Sequence, residues 1–480
     1  INILMGSRSF YEGWDSNRPN VILFINIGMG EDARKFILQS VGRGVRIEPV
    51  KGKRKRAVEL YNAKEINEEL FNEIKDKITP IETLFIFGTN RSALKEVLGK
   101  LEEEKRREGE YQLSLSVNDE AKKNNVLLVP TYKEAGYPLL NKREIPKFEI
   151  SNEDFNLVKK FVELTDDRVL LMKYSEKLKD MPVEKLRFLR ESINRESEFY
   201  KPAGRSFKDI DIAIQRIFDH ISIIPMEFEK LKELDEEIRH FKNIRVYLKD
   251  VNEIQRKIEK VKDYPAKKEQ LKSELSKLSE EARKQIEALL VKESEETYEY
   301  NHKKLRIKYV ANHYYLPLIL SEEEKIDYIK HIIKTKSEVN FINDLEDYLS
   351  NPDNKFKEFD WWMFSKIDES LDEVYIPYYN PKINKISKFY PDFIFWLKKE
   401  NNYFIVFIDP KGTEHADAYR KIDGYKELFE ENGKEKVFNY NGYNVRIKLF
   451  LRPEDVSKAL PEYKQYWFDD IEKMLNKLGI

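Results

Sequence analysis

Two aspartates and a lysine at the ends of an apolar hairpin are the residues of this chain best arranged to do chemistry. They lie in KFYPDFIFWLKKENNYFIVFIDPKG, Lys388 to Gly412. Runs rich in Phe, Ile and Val flank the polar stretch KKENN, Lys398 to Asn402, which reads as a turn between two buried strands. Antiparallel pairing about that turn sets opposite each other residues whose numbers sum to about 800. Asp392 then falls within one step of Asp409, so the two carboxylates are near neighbours at one end of the hairpin. Lys411 lies two residues beyond Asp409 and shares its face if the strand continues.

Two carboxylates brought together on an apolar hairpin repel, and burying them unpaired costs several kcal/mol. Lys411 can neutralise one of them. A divalent cation neutralises both, and hard oxygen ligands in a chain without cysteine favour Mg²⁺. Carboxylates, metal and an ammonium group suit phosphodiester hydrolysis. The metal polarises a phosphoryl oxygen and acidifies a bound water, and the lysine orients that water or stabilises charge on phosphorus. The plainer alternative is a surface hairpin with an ordinary Asp–Lys pair.

Pro391-Asp392 followed after a hairpin by Asp409-Pro410-Lys411 resembles the PD-(D/E)xK nuclease motif. The resemblance implies that Asp392, Asp409 and Lys411 are catalytic, with both aspartates binding Mg²⁺. It departs from the usual pattern at Pro410, which removes a backbone donor late in the strand. The family often adds a metal-binding acid from a preceding helix. Here VNFINDLEDYLSN, Val339 to Asn351, offers Glu346, with Asp344 and Asp347 as competitors and an exposed helix acid as the plain reading. The helix ADAYRKIDGYKELFE carries Arg420, Lys421 and Lys426, suited to phosphate contact or simply to solvent.

The elements around this hairpin suggest an α/β multidomain chain. Residues 1 to 110 alternate strand-like pieces (NILMG, NVILFINIG, ETLFIFG) with helical ones (EDARKFILQSV, NRSALKEVLGKLEEEKRR), as a parallel sheet with crossover helices requires. Residues 111 to 305 read as turn-rich and then mainly helical. The Lys- and Glu-dense stretch from Met226 to Val291 suggests two long antiparallel helices broken at Tyr264-Pro265. Residues 306 to 480 form a second α/β module that contains the hairpin. With 480 residues, several cores are expected.

Composition narrows the partners. Charge is high but balanced, 86 basic residues against 87 acidic, so nucleic-acid contact must come from local patches. The six histidines form no HExxH-type pair. No apolar run is long enough to span a bilayer, and no secretory signal opens the chain, so a soluble, cytoplasmic protein with no membrane partner is the expectation. The opening INILMGSRSF starts directly in a strand-like piece, as the C-terminal part of a longer protein would.

A second constellation lies near that opening. In ARKFILQSVGRGVR, Arg43 and Arg46 are neighbours on one helix face, and Gly42 and Gly44 permit close backbone approach. Two guanidiniums so presented suit bidentate phosphate binding. QSVGRGVR resembles motif VI (QxxGRxxR) of superfamily-2 helicases, and SRSFYEGWD resembles their motif V. That resemblance implies a partial second RecA-like domain in which Asp15, Gln39, Arg43 and Arg46 address ATP. No GxxxxGK[ST] loop occurs in the sequence, so the N-terminal RecA-like half of the motor is missing and the chain alone is not expected to hydrolyse ATP. KGKRKR follows, and Lys53, Arg54 and Arg56 suit DNA phosphates or a flexible basic loop.

A superfamily-2 motor, a helical spacer and a C-terminal PD-(D/E)xK nuclease together resemble the restriction (Res) subunit of type III restriction–modification enzymes. The likeness runs through SFYEGWDSNRPNV, ILQSVGRGVRI, YVANHYYLPLILS and FYPDFIFWL. It implies cleavage of double-stranded DNA with Mg²⁺, ATP in the full-length enzyme, and a methyltransferase (Mod) partner. Two alternatives stand beside it: a helicase or translocase remnant, and a non-catalytic DNA-binding fragment.

Overall fold

The computed structural model describes residues 21–25, 37, 39–41, 48–53, 55–62, 65–75, 77–89, 110–123, 125–201, 205–207, 209–275, 279, 282, 294–310, 312–323, 325–410, 418–452 and 461–479. The chain is a mixed α/β protein of two units, Ile1–Glu110 and Tyr111–Ile480.

In the first unit, β1 (Val21–Phe24) and β2 (Phe85–Gly88) pair in parallel, with Val21 opposite Phe85. They coincide with two of the three expected strands; the third, NILMG, lies outside the described residues. One face of the pair, Ile22, Phe24, Leu84 and Ile86, packs on Ile37 and Val41 from the stretch between the strands. The same stretch carries α1 (Ala57–Asn62) and α2 (Glu68–Ile74). The side chain of Asn67 caps α2 by accepting from the Leu70 amide at 2.9 Å.

The second unit opens with β3 (Leu128–Glu134). The helices α3 (Asn152–Leu164), α4 (Pro182–Arg195) and α5 (Ile210–Ile221) then bury Phe155, Val158, Val162, Leu189, Ile214 and Ile217 in a core of their own. Next comes β4 (Met226–Glu233), antiparallel to β3. This corrects the helical reading of that stretch: MEFE alternates apolar and acidic residues, which is strand periodicity, and the Lys and Glu density hid it. Helix begins only at α6 (Asn252–Lys262), and α7 (Tyr264–Leu275) follows after Asp263 with Pro265 in its first turn. Proline is tolerated there because the first amides of a helix have no intrahelical acceptor. The break falls at the expected place, but the helices on either side are short rather than long.

A three-stranded sheet follows, with β5 (Glu295–Tyr300), β6 (Lys303–Lys308) and β7 (Leu318–Ser321) in sequential antiparallel order. Then come α8 (Lys336–Ser350), β8 (Trp361–Lys366), and the hairpin β9 (Ile376–Asn380) and β10 (Lys385–Phe389). The last elements needed here are β11 (Phe393–Lys399), β12 (Asn402–Asp409), α9 (Ala418–Phe429), β13 (Phe438–Tyr440) and β14 (Tyr443–Leu451).

Five of these strands form one sheet in the order β8-β11-β12-β14-β13. Its first three strands are mutually antiparallel, and β12 runs parallel to β14 with α9 as the crossover. The strands read as continuous apolar runs because both faces are buried: Phe393 to Leu397 and Tyr403 to Ile408 are all inaccessible. Gly424 lets α9 lie directly on β9; a Cβ there would stand 2.6 Å from Cβ of Tyr378.

The stretch 111–305 is not a detached helical spacer. A single apolar core runs from Leu113 to Leu478 and includes Leu128, Ile254, Val261 and Leu305 alongside Trp396 and Val406. Polar contacts fasten it as well: Trp396 Nε1 donates to the Leu128 carbonyl at 2.8 Å and Tyr403 Oη to the Val126 carbonyl at 2.6 Å. Both donors come from the central strands, whose aromatic side chains need a polar partner once buried.

Candidate active site

The hairpin that carries the aspartates has a tight turn. Lys399 opposes Asn402 and Phe393 opposes Ile408, so partner numbers sum to 801. Glu400, in the two-residue connection, takes left-handed backbone with φ of 54°. One step beyond Phe393 and Ile408, the same register sets Asp392 opposite Asp409.

Backbone bonds fix both positions. The Asp392 carbonyl accepts from the Ile367 amide at 2.8 Å, which extends the β8–β11 ladder past its last pair. The Asp409 carbonyl accepts from the Arg452 amide at 2.9 Å, which extends the β12–β14 ladder. Asp409 is buried at 6% exposure, and the Asp392 side chain is 15% exposed. Lys411 lies outside the described residues.

A different lysine occupies this end of the sheet. Lys366, the last residue of β8, donates from Nζ to the Ile367 carbonyl at 2.7 Å and to Asp392 Oδ1 at 3.1 Å. The same Nζ stands 3.4 Å from Glu338 Oε1. Burial alone would lower the pKa of this ammonium. The negative charges of Asp392 and Glu338, the bond to Asp392 and the charge of Asp368 outweigh it and hold the pKa above its ordinary value. Lys366 is therefore a fixed cation and not a proton-transfer group near neutral pH.

Glu338 comes from the first turn of α8. Its carboxylate accepts from the Thr335 amide at 3.4 Å in a capping box, which aims the side chain back toward the helix start and toward β8. The helix acid associated with Asp392 is thus Glu338 and not Glu346. Glu346 pairs with Lys308, which also meets Glu295 at 3.2 Å. Asp344 pairs with Arg452.

Behind the cluster, Asp372 is wholly buried and accepts from four donors. These are the Arg239 amide at 2.6 Å, the His240 amide at 3.1 Å, His240 Nδ1 at 2.7 Å and the Asp368 amide at 2.7 Å. That pattern ties Arg239 and His240 to the loop after β8, a positioning task for an acid with no assigned role in the sequence reading. For Asp368, burial would raise the carboxyl pKa, but bonds from His331 and Ser370 bring it well below the usual carboxylate range.

Other candidate residues are dispersed. Arg420 is buried against Glu149 at 3.1 Å and lies over the rings of Tyr419 and Tyr200. Lys421 lies over Phe389 and Lys426 over Tyr463. In the first unit Gln39 is helical and exposed, while Asp15, Arg43, Arg46 and Arg54 lie outside the described residues. Lys53 and Lys55 share Glu65, at 3.4 and 2.9 Å, and Arg56 is exposed.

Among the described residues, no three His, Asp or Glu side chains are arranged to hold a metal ion by themselves. The donor set at the strand ends nevertheless has the right chemistry for a hard cation: two carboxylates opposed in register, with Glu338 linked to them through Lys366. Sequence reasoning missed Glu338 and Lys366. The signals were present as TKSE, a capping-box pattern, and as a lysine closing the apolar strand WWMFSK. No described helix is long and apolar enough to cross a membrane.

Residues 329–469 are similar to the YagJ family. That span is under a third of the chain; it runs from just before α8 to beyond β14 and includes Glu338, Lys366, Asp392 and Asp409. No curated protein and no solved structure matches the chain.

Proposed function

We propose that this chain is the C-terminal part of an ATP-dependent endonuclease of the type III restriction class, and that it hydrolyses phosphodiester bonds of double-stranded DNA with Mg²⁺ at Asp392 and Asp409. The observation that carries the reading is the register of β11 and β12, which opposes two largely buried carboxylates at one sheet end. The order of elements around them gives further support. Helix α8, the antiparallel strands β8, β11 and β12, crossover α9 and parallel β14 make up the α-β-β-β-α-β arrangement expected of a PD-(D/E)xK nuclease domain.

In this reading Asp392 and Asp409 would hold the ion. Bound there, Mg²⁺ supplies Lewis-acid polarisation of the phosphoryl group and acidifies a water. The protein's own part is positional: the two backbone ladders fix the aspartates on rigid strands, and Lys366 keeps Asp392 ionised. Lys411 is assigned to the attacking water by the motif alone. The first unit is assigned to the second half of a superfamily-2 motor, with ATP bound jointly with an upstream RecA-like domain. A Mod methyltransferase would supply the DNA sequence recognition, in the cytoplasm. Support for the motor assignment is the parallel pairing of β1 and β2, together with the motif sequences.

The test is cleavage of plasmid DNA with Mg²⁺, ATP, a Mod partner and the motor restored to full length. Asp392→Asn and Asp409→Asn should each lower the rate by about 10³-fold, the several kcal/mol that a metal contributes. DNA binding should be retained. Cleavage that survives both substitutions would refute the assignment.

A further inference from the structure

We propose that Lys366 is a resident cation that fills one of the two cation positions this carboxylate cluster would otherwise offer, so that the site takes one divalent ion per chain and not two. The inference rests on the metal-dependent reading above and adds the number of ions and the reason for it.

The argument begins with the three protons of an ammonium group. Around Lys366 Nζ stand three acceptors, the Ile367 carbonyl at 2.7 Å, Asp392 Oδ1 at 3.1 Å and Glu338 Oε1 at 3.4 Å. Its donor capacity is matched, and the side chain has no slack: it is 9% exposed, it leaves the end of a central-sheet strand, and its Nζ lies 5.6 Å from the centre of the Phe393 ring. Two-metal phosphodiesterase sites hold their ions about 3.5–4 Å apart and share a carboxylate between them. An ion held by both Asp392 Oδ1 and Glu338 would have to take the place where the ammonium already sits. Magnesium also demands close oxygen contacts at about 2.0–2.1 Å and near-octahedral geometry, which a neighbouring fixed positive charge opposes. What remains for an ion is the side of Asp392 that faces its register partner Asp409.

Lys366 is a positioning residue in this scheme. It touches neither substrate nor ion, and its effect is read in stoichiometry rather than in rate.

The experiment is a titration of the full chain, without DNA, using Mn²⁺ followed by electron paramagnetic resonance and Ca²⁺ followed by calorimetry. The expected result is one ion per chain for the wild type and for Lys366→Arg, and two for Lys366→Ala. Asp392→Asn should weaken the wild-type ion at least about tenfold, which locates it at this cluster. Two ions on the wild type, or an unchanged single ion on Lys366→Ala, would overturn the inference and leave the nuclease reading standing. No ion on the wild type, or one indifferent to Asp392→Asn, would overturn both. If Lys366→Ala does not fold, the wild-type count and Lys366→Arg decide.

Discussion

The second unit contains two buried clusters in which a cation meets carboxylates, and they are built differently. At the packing of α9 on the segment before α3, Arg420 meets Glu149 at 3.1 Å, donates to the Lys147 carbonyl at 3.3 Å and lies over the rings of Tyr419 and Tyr200. Tyr419 Oη joins the same Glu149 oxygen at 3.1 Å. A planar guanidinium stacked between rings suits a permanent joint between distant pieces of chain. At the end of the central sheet, by contrast, Lys366 is shared by Glu338 and Asp392, and Asp409 stands next in register. Gathering like charges lowers stability, and it is the pattern by which functional sites are recognised. The first cluster closes upon itself; the second gathers acids where a cation can be used.

The sharpest way to break this comparison is to remove one acid from each. Glu149→Ala leaves the Arg420 guanidinium buried without its main partner, since Asp423 is more distant at 3.9 Å and largely solvated. The expected cost is about 3–5 kcal/mol in unfolding free energy, read by urea denaturation, with cleavage per folded molecule unchanged. Asp392→Asn should show the opposite split, because Lys366 keeps Glu338. Equal losses of stability in the two variants would erase the distinction.

How much of this was legible beforehand follows the same division. The hairpin, its turn and the opposition of Asp392 to Asp409 could be read because a period of two and a polar turn fix register locally. Glu338 and Lys366 could not be joined to them by spacing, since a capping box and a strand end meet only through tertiary packing. Arg420 looked like a surface cation because its partner Glu149 is remote in sequence. Met226–Glu233 was misread for a related reason: dense Lys and Glu suit a solvated helix, and only pairing with β3 selects the strand.

Acid separates the two clusters next. His220 packs beside the Arg420 joint, with Nε2 at 2.8 Å from the Pro146 carbonyl and its ring 4.7 Å from that of Tyr379. Burial chiefly, and the charge of Arg420 as well, push its pKa down from 6.5 to about 4, against the opposing bond to Pro146. A depressed histidine binds fewer protons folded than unfolded. Its stabilisation is complete above pH 6.5 and is lost progressively as pH falls toward 4. Between pH 6.5 and 5 that amounts to about 2 kcal/mol, measurable as a drop in urea midpoint that His220→Gln should flatten. Lys366, whose pKa is raised, loses nothing over this range, because its contribution persists at every pH below the unfolded lysine value. A protein equally stable at pH 7.5 and 5 would show that the histidine is not buried in solution.

The smallest effect is expected where sequence reasoning had placed the third acid. Glu346 lies about two turns along α8 from Glu338 and pairs with Lys308, which retains Glu295 at 3.2 Å if Glu346 is neutralised. Its side chain is partly solvated, so Glu346→Gln should cost no more than about 1 kcal/mol of stability and change cleavage less than twofold. Glu338→Gln removes a partner of Lys366 and one arm of the capping box together, and should therefore exceed it in both assays. The reverse ranking would return the third acid to Glu346 and detach Lys366 from the chemistry of the strand ends.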